Sequence, residues 1–223
     1  MTRSAPVAPH MTAMHRRLLL SSPLLAAGLL APPRAAEAAI DPARATAFIE
    51  AAGNELVAAI NDPNLDLPAR RERVAAILRR TVDIEGTGRF ILGRYARQAT
   101  PAELAEYNRL FDDIIVRNLS ARFGEYRGVR FSLGRSQQRT EEDVLVNTII
   151  ERPNQPAFSL DWRVSEINGQ PKVVDVIAEG TSLRLTTRSE YAAVIQRGGG
   201  RVAALLEAMR NQVAQLAARE GRG

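Results

Sequence analysis

The chain has 223 residues, 45% of them hydrophobic and 25% charged, a composition that excludes disordered and collagen-like proteins and suits one core-forming domain. The formal charge of +5 is carried almost wholly by arginine, since Lys172 is the only lysine. There is no cysteine, which excludes disulfides, thiol nucleophiles and thiolate metal sites.

Residues 1–38 read as a cleaved signal peptide. His15, Arg16 and Arg17 form a positive start, and Leu18 to Leu30 is an apolar run of 13 residues. That is shorter than the roughly 20 residues a membrane-spanning helix needs. Pro32, Pro33 and Arg34 break the run, and Ala36-Glu37-Ala38 offers the small-x-small cleavage pattern. The Arg16-Arg17 pair fits ordinary export and twin-arginine export alike, and Met11 and Met14 are alternative starts. No later segment is long and apolar enough to cross a membrane, so residues 39–223 are expected to form one exported soluble domain.

Removing the leader takes Arg3, Arg16, Arg17 and Arg34 away with Glu37 and leaves 26 basic against 24 acidic residues. The basic excess then gives no argument for a nucleic-acid partner. His10 and His15, the only histidines, leave as well. Ser-His-Asp and Cys-His catalysis are excluded, and so is almost every zinc or copper site. An enzyme would have only carboxylate, Tyr, Ser/Thr or Lys chemistry.

In chain order, Asp41-Pro42 reads as the cap and first position of a helix whose stripe is Phe48, Ile49, Ala52, Leu56 and Ile60, ended by Asn61-Asp62-Pro63-Asn64. A second helix starts near Pro68, with Val74, Ile77 and Leu78 on one side. Val82 to Gly88, with two glycines, is expected to be a break, followed by a short helical piece over Arg89 to Tyr95. Thr100-Pro101-Ala102-Glu103 is a capping box for a long helix striped by Leu104, Tyr107, Phe111, Ile114, Ile115, Asn118 and Leu119.

The period then changes to two. Val129–Leu133, Val144–Ile150, Phe158–Val164 and Val173–Ile177 read as four strands of an antiparallel meander, the last two joined at Asn168-Gly169. Arg188 to Arg197 returns to helix, Gly198-Gly199-Gly200 ends it, and Val202 to Leu216 stripe a final helix. Helices, strands, then helices predict an α+β fold, a curved antiparallel sheet of about four strands covered by helices.

Several segments are similar to those of one family. Phe90-Ile-Leu-Gly-Arg-Tyr95 with Ala99-Thr-Pro101, then Asp161-Trp-Arg163, Val173 to Leu183 and Arg188-Ser-Glu-Tyr191 resemble, in order, the MlaC family of periplasmic phospholipid-binding proteins, the auxiliary transport components linked to toluene tolerance. The likeness spans residues 45–210, with departures at Ala96 and Val174, where the family has aromatics. It implies a nuclear-transport-factor-like domain with extra helices and a phospholipid as cargo. It also implies partners at both membranes, an inner-membrane ABC transporter and an outer-membrane lipoprotein–porin complex. No catalytic residues and no other cofactor are implied. A related branch implies a hopanoid cargo instead.

The residues set the candidate site. If the inward strand face and the capped helix enclose the cargo, the wall is Leu145, Ile149, Leu160, Trp162, Val174 and Val176, faced by Phe111, Ile114 and Ile115. Arg94 and Tyr95 are candidates for a headgroup phosphate, and Arg94 is equally suited to an ion pair. One alternative is an enzyme on the same scaffold, with Asp175, Glu179 or Tyr107 as acid or base; Asp175 also suits hydrogen bonding to a nearby turn. Another is an adaptor whose apolar face receives a partner helix.

Overall fold

A computed structural model of the chain describes residues 40–220, so the expected leader lies outside the described residues. Helix α1 (Pro42–Asn61) follows Asp41 with proline in its first turn, and α2 (Leu67–Thr81) is capped by the Asp66 carboxylate, which accepts from the Ala69 amide. The expected break at 82–88 is much shorter. Only Val82 and Asp83 interrupt the helices, and α3 (Ile84–Leu92) includes both glycines. The Asp83 carboxylate caps α3 by accepting from the Gly86 amide at 3.0 Å. Gly88 lets Phe111 and Tyr107 pack closely, 3.1 and 3.4 Å from where its side chain would start, and its carbonyl accepts from the Tyr107 hydroxyl at 2.9 Å. Tertiary packing thus overrides the helix-breaking tendency of glycine.

A short 3-10 turn (Gly93–Arg97) leads to α4 (Pro101–Ser120), whose capping box is complete: Thr100 accepts from the Glu103 amide and Glu103 accepts from the Thr100 amide. A single turn, α5 (Phe123–Tyr126), precedes the sheet.

The sheet runs β1 (Arg130–Gln138), β2 (Asp143–Arg152), β3 (Gln155–Ile167), β4 (Gln170–Ala178) and β5 (Thr181–Ser182), with neighbours in sequence order and all pairs antiparallel. Asn168 and Gly169 both have positive φ, 52° and 76°, as the primed hairpin turn demands. The short β5 adds to the four expected strands. It follows a second such turn at Glu179-Gly180, with φ of 50° and 78°. Helix α6 (Leu183–Arg197) starts five residues earlier than expected, because the Ser182 hydroxyl caps it by accepting from the Leu185 amide. Helix α7 (Val202–Glu220) closes the chain.

Register settles which strand positions share a face. Val144 pairs with Val164, Val146 with Trp162, Thr148 with Leu160 and Ile150 with Phe158. These even-numbered residues form the inner face, toward α1 and α2. Leu145, Asn147, Ile149, Asp161 and Arg163 lie on the outer face. A register shift in β4 lets Arg163 pair with Asp175 but Val164 with Val173, so Val174 is the extra residue of a bulge.

Three apolar clusters form. Ile40, Ala45 and Ile49 join Val144, Val146, Val164 and Val173 beneath α1. Ala59, Ile60, Val74, Ile77 and Val129 tie α1 and α2 to the start of β1. The largest unites α3, α4, α6 and α7 around Tyr107, Phe111, Leu205, Leu206 and Met209. Glu220 fastens the end of α7 by accepting from Arg117 at 2.6 Å, from Arg71 at 3.2 Å and from the Ser120 hydroxyl.

Candidate functional site: an apolar cavity

Between the first two clusters the interior is not filled. A cavity of about 200 Å³ separates α1 and α2 from the inner sheet face. One wall is α1, through Ile49, Ala52, Gly53, Leu56, Val57 and Ile60, and α2 adds Ile77, Leu78 and Thr81. The other wall is the sheet, through Phe131, Thr148, Ile150, Phe158, Leu160, Trp162 and Val173. Val82, Leu119, Tyr126 and Val129 complete the lining. Leu56, Val57, Phe131, Ile150, Phe158, Leu160 and Trp162 are only half-buried although they point inward, because they border this void.

Most polar groups of the wall are satisfied within the wall. The Thr81 hydroxyl donates to the Ile77 carbonyl of its own helix at 2.8 Å. The Trp162 indole nitrogen donates to the Thr148 hydroxyl at 2.8 Å. What these residues offer a guest is therefore methyl groups and ring faces. An enclosed apolar cavity of about 150 Å³ lined by Leu, Ile and Phe stays dry and binds small hydrocarbons, and this lining is of the same chemistry. No carboxylate lies in the lining, and no cluster of potential metal ligands occurs among the described residues. Among the described residues no helix is long and apolar enough to cross a membrane.

The MlaC protein family matches residues 50–211, and the fold agrees. The chain belongs to the MlaC family. It is also similar to the phospholipid-binding protein from Ralstonia solanacearum, a structure solved in complex with a phospholipid. The TM-score is 0.69 and the identity 25%, covering 78% of this chain and 98% of that one.

The MlaC-like segments of the sequence divide between the cavity and its supports. Of the residues expected to line the cavity, Leu160 and Trp162 do. Phe111 and Ile114 are buried in the helical cluster, with Ile115 packed against it, because the helices over the sheet at the cavity are α1 and α2 rather than α4. Leu145 and Ile149 sit on the outer face, Ile149 being 41% exposed; their neighbours Thr148 and Ile150 occupy the wall, one residue out of phase. Val174, displaced by the bulge, lines a separate depression beside Arg163 and Arg184. Val176, opposite Trp162, packs beneath against the valine cluster.

Tyr95 is buried in the helical cluster and Arg94 is exposed, away from the cavity. The Arg94 guanidinium donates to the Tyr95 hydroxyl at 3.0 Å and holds that phenol below its ordinary pKa. The acid/base candidates also lie elsewhere. Asp175 is buried with its oxygens occupied by the Val176 amide at 2.8 Å, the Ser182 hydroxyl at 2.6 Å and the Arg184 amide at 3.1 Å. Glu179 is in an exposed turn, and burial pushes the Tyr107 phenol far above its usual pKa.

The residues that sequence reasoning missed were partly within its reach. The α1 stripe of Ile49, Ala52, Leu56 and Ile60 was legible as a helix face, and Gly53 beside it marked a place where something approaches closely. The Phe131 ring occupies that place, and three of its atoms would lie within 2.9 Å of the first side-chain carbon of any other residue at position 53.

Proposed function

We propose that this chain is a periplasmic lipid carrier: residues 1–38 are a cleaved leader, and residues 39–223 are a single domain that encloses phospholipid tails between α1, α2 and the sheet. The observation that carries this reading is the wall itself, aliphatic and aromatic, free of charge and hollow. A palmitoyl-sized tail exposes about 14 methylenes at roughly 0.8 kcal/mol each, so carrying one through water bare costs on the order of 11 kcal/mol. The family and the phospholipid complex of the Ralstonia relative support a phospholipid as the guest.

In this reading Leu160, Trp162, Leu56, Phe131 and Phe158 grip the tails, and α1 with α2 moves away from the sheet to admit the full length of the chains. A partner that binds the open form better than the closed one drives release. The partners are an inner-membrane ABC transporter and an outer-membrane lipoprotein–porin complex, between which the carrier shuttles. No bond is made or broken.

The test is native mass spectrometry of protein purified from the periplasm without detergent, followed by organic extraction. The expected result is a phospholipid-sized adduct that extraction removes and lipid analysis identifies. Empty protein from lipid-rich cells overturns the reading, and a hopanoid in the extract replaces the phospholipid as cargo.

A further inference from the structure

Arg152 ends β2, two residues beyond Ile150 of the cavity wall. Its guanidinium carbon lies 4.9 Å from the centroid of the Phe158 ring and 5.7 Å from that of Tyr126. Both distances are within cation–π range, and both rings line the cavity. The side chain is only 17% exposed, yet Nε is buried without a hydrogen-bond partner. Its nearest carboxylate, the half-exposed Glu125, stands 3.8 Å from a terminal nitrogen, too far for a hydrogen bond.

Other arginines leave Nε unpartnered, but differ. Arg70 donates to the Asp62 and Leu65 carbonyls and Arg117 donates to Glu220. Arg184 stacks on Phe90, outside the cavity wall. Arg152 alone among these four combines unused donors with contact to the wall. Two rings hold its plane in place, and a largely desolvated cation with unmade hydrogen bonds is costly unless an anion meets it.

We infer that Arg152 takes the anionic phosphate of the cargo lipid at the Tyr126–Phe158 end of the cavity, an inference that rests on the carrier reading above. The planar fork gives two parallel N–H···O bonds to phosphate oxygens while the tails run inward along Phe158 and Ile150. Glu125 yields its place, since a half-exposed ion pair at that distance is weak. The cavity therefore has a direction, tails first and phosphate at this end.

The test titrates delipidated protein with dioctanoyl phosphatidylglycerol and with dioctanoyl glycerol, which lacks the phosphate, following the emission of Trp162, the single tryptophan. R152Q is expected to weaken phosphatidylglycerol binding about tenfold or more and to leave dioctanoyl glycerol binding nearly unchanged. R152K, which keeps the charge but loses the fork, falls between. Unchanged phosphatidylglycerol binding, or equal weakening of both lipids, overturns the role of Arg152 while leaving the carrier reading intact. Failure of wild-type protein to bind either lipid overturns both. Inorganic phosphate is expected to leave wild-type emission unchanged; a saturable response that R152Q abolishes assigns the site to the free ion and overturns the headgroup role. If R152Q does not fold by circular dichroism, R152K decides alone: a preference for phosphatidylglycerol equal to wild type overturns the inference.

Discussion

The interior enclosed by α3, α4, α6 and α7 and the interior between α1, α2 and the sheet draw on the same kinds of side chain and end in opposite states. In the helical interior Tyr107 stacks on Phe111 with centroids 5.8 Å apart and meets Tyr191 edge-on at 6.4 Å. Ile195, Leu205 and Met209 are at most 1% exposed around them. Across the cavity, α1 presents Ile49, Ala52, Leu56, Val57 and Ile60 to Thr148, Ile150, Leu160 and Trp162 of the sheet; the Phe131 ring closes on Gly53, and beside that contact the space stays open. Apolar composition therefore does not decide whether an interior is solid. The decision lies in how closely the facing elements approach: the side chains of the helical core interdigitate, whereas α1 and α2 stand off the inner sheet face except at contacts such as Gly53 with Phe131.

The widest separation between the two regions comes from truncation. Leu205→Ala should cost about 3 kcal/mol in chemical denaturation of lipid-free protein, because it opens a void in a filled core. Leu56→Ala, which borders an existing void, should cost about 1 kcal/mol. Equal costs would mean that the cavity is as tightly packed as the helical core. The reverse substitution sharpens the same contrast. Ala52→Phe fills the cavity, so it should weaken lipid uptake at least about tenfold, read from Trp162 emission, while lipid-free stability stays within roughly 1 kcal/mol. A variant that is filled and still loads lipid normally would place the tails elsewhere.

The sequence spoke unequally about these two regions. The stripe from Leu104 to Leu119, opened by a capping box, specifies a helix with one buried side, and α4 has that boundary and that burial. The meander was equally readable, since alternation and Asn168-Gly169 are local signals. Two features were not local. Gly86 and Gly88 look like a break until Tyr107 and Phe111 are known to pack against the second of them. The inward face of β2 hinges on pairing: a shift of one residue exchanges Ile149 for Ile150, and nothing in Val144 to Ile150, whose two polar residues Asn147 and Thr148 are adjacent and so fall on opposite faces, fixes the phase. In β4 the bulge at Val174 breaks the alternation itself. Leu160 and Trp162 were found because β3 alternates cleanly with Ser159, Asp161 and Arg163. The helix over the cavity was misassigned for a different reason. Periodicity shows that α1 and α4 each bury a face, and only tertiary structure tells which face meets the sheet.

The smallest effect probes the far side of that sheet, where polar groups replace the void. Asp143 is buried at the start of β2. Its carboxylate accepts from Arg163 Nε at 2.8 Å, from the Ser165 hydroxyl and from the Thr140 hydroxyl at 3.2 Å. Burial pushes its pKa up, but the hydrogen bonds from Arg163, Ser165 and Thr140 together prevail and hold it below the usual carboxylate value. A carboxyl with a depressed folded-state pKa contributes stability above its unfolded value of about 3.9, and that contribution disappears as pH falls through the folded value. Asp143→Asn should therefore lower stability by about 1 kcal/mol at neutral pH and flatten the loss that wild type shows below about pH 4, measured by thermal unfolding across that range. Lipid affinity at neutral pH should not move, because Arg163 and Asp143 lie on the opposite face from Leu160 and Trp162, and sites without shared partners act independently. If Asp143→Asn weakens lipid uptake as well, the inner and outer faces of the sheet are coupled, and the cavity owes its shape to the polar network as much as to its own apolar walls.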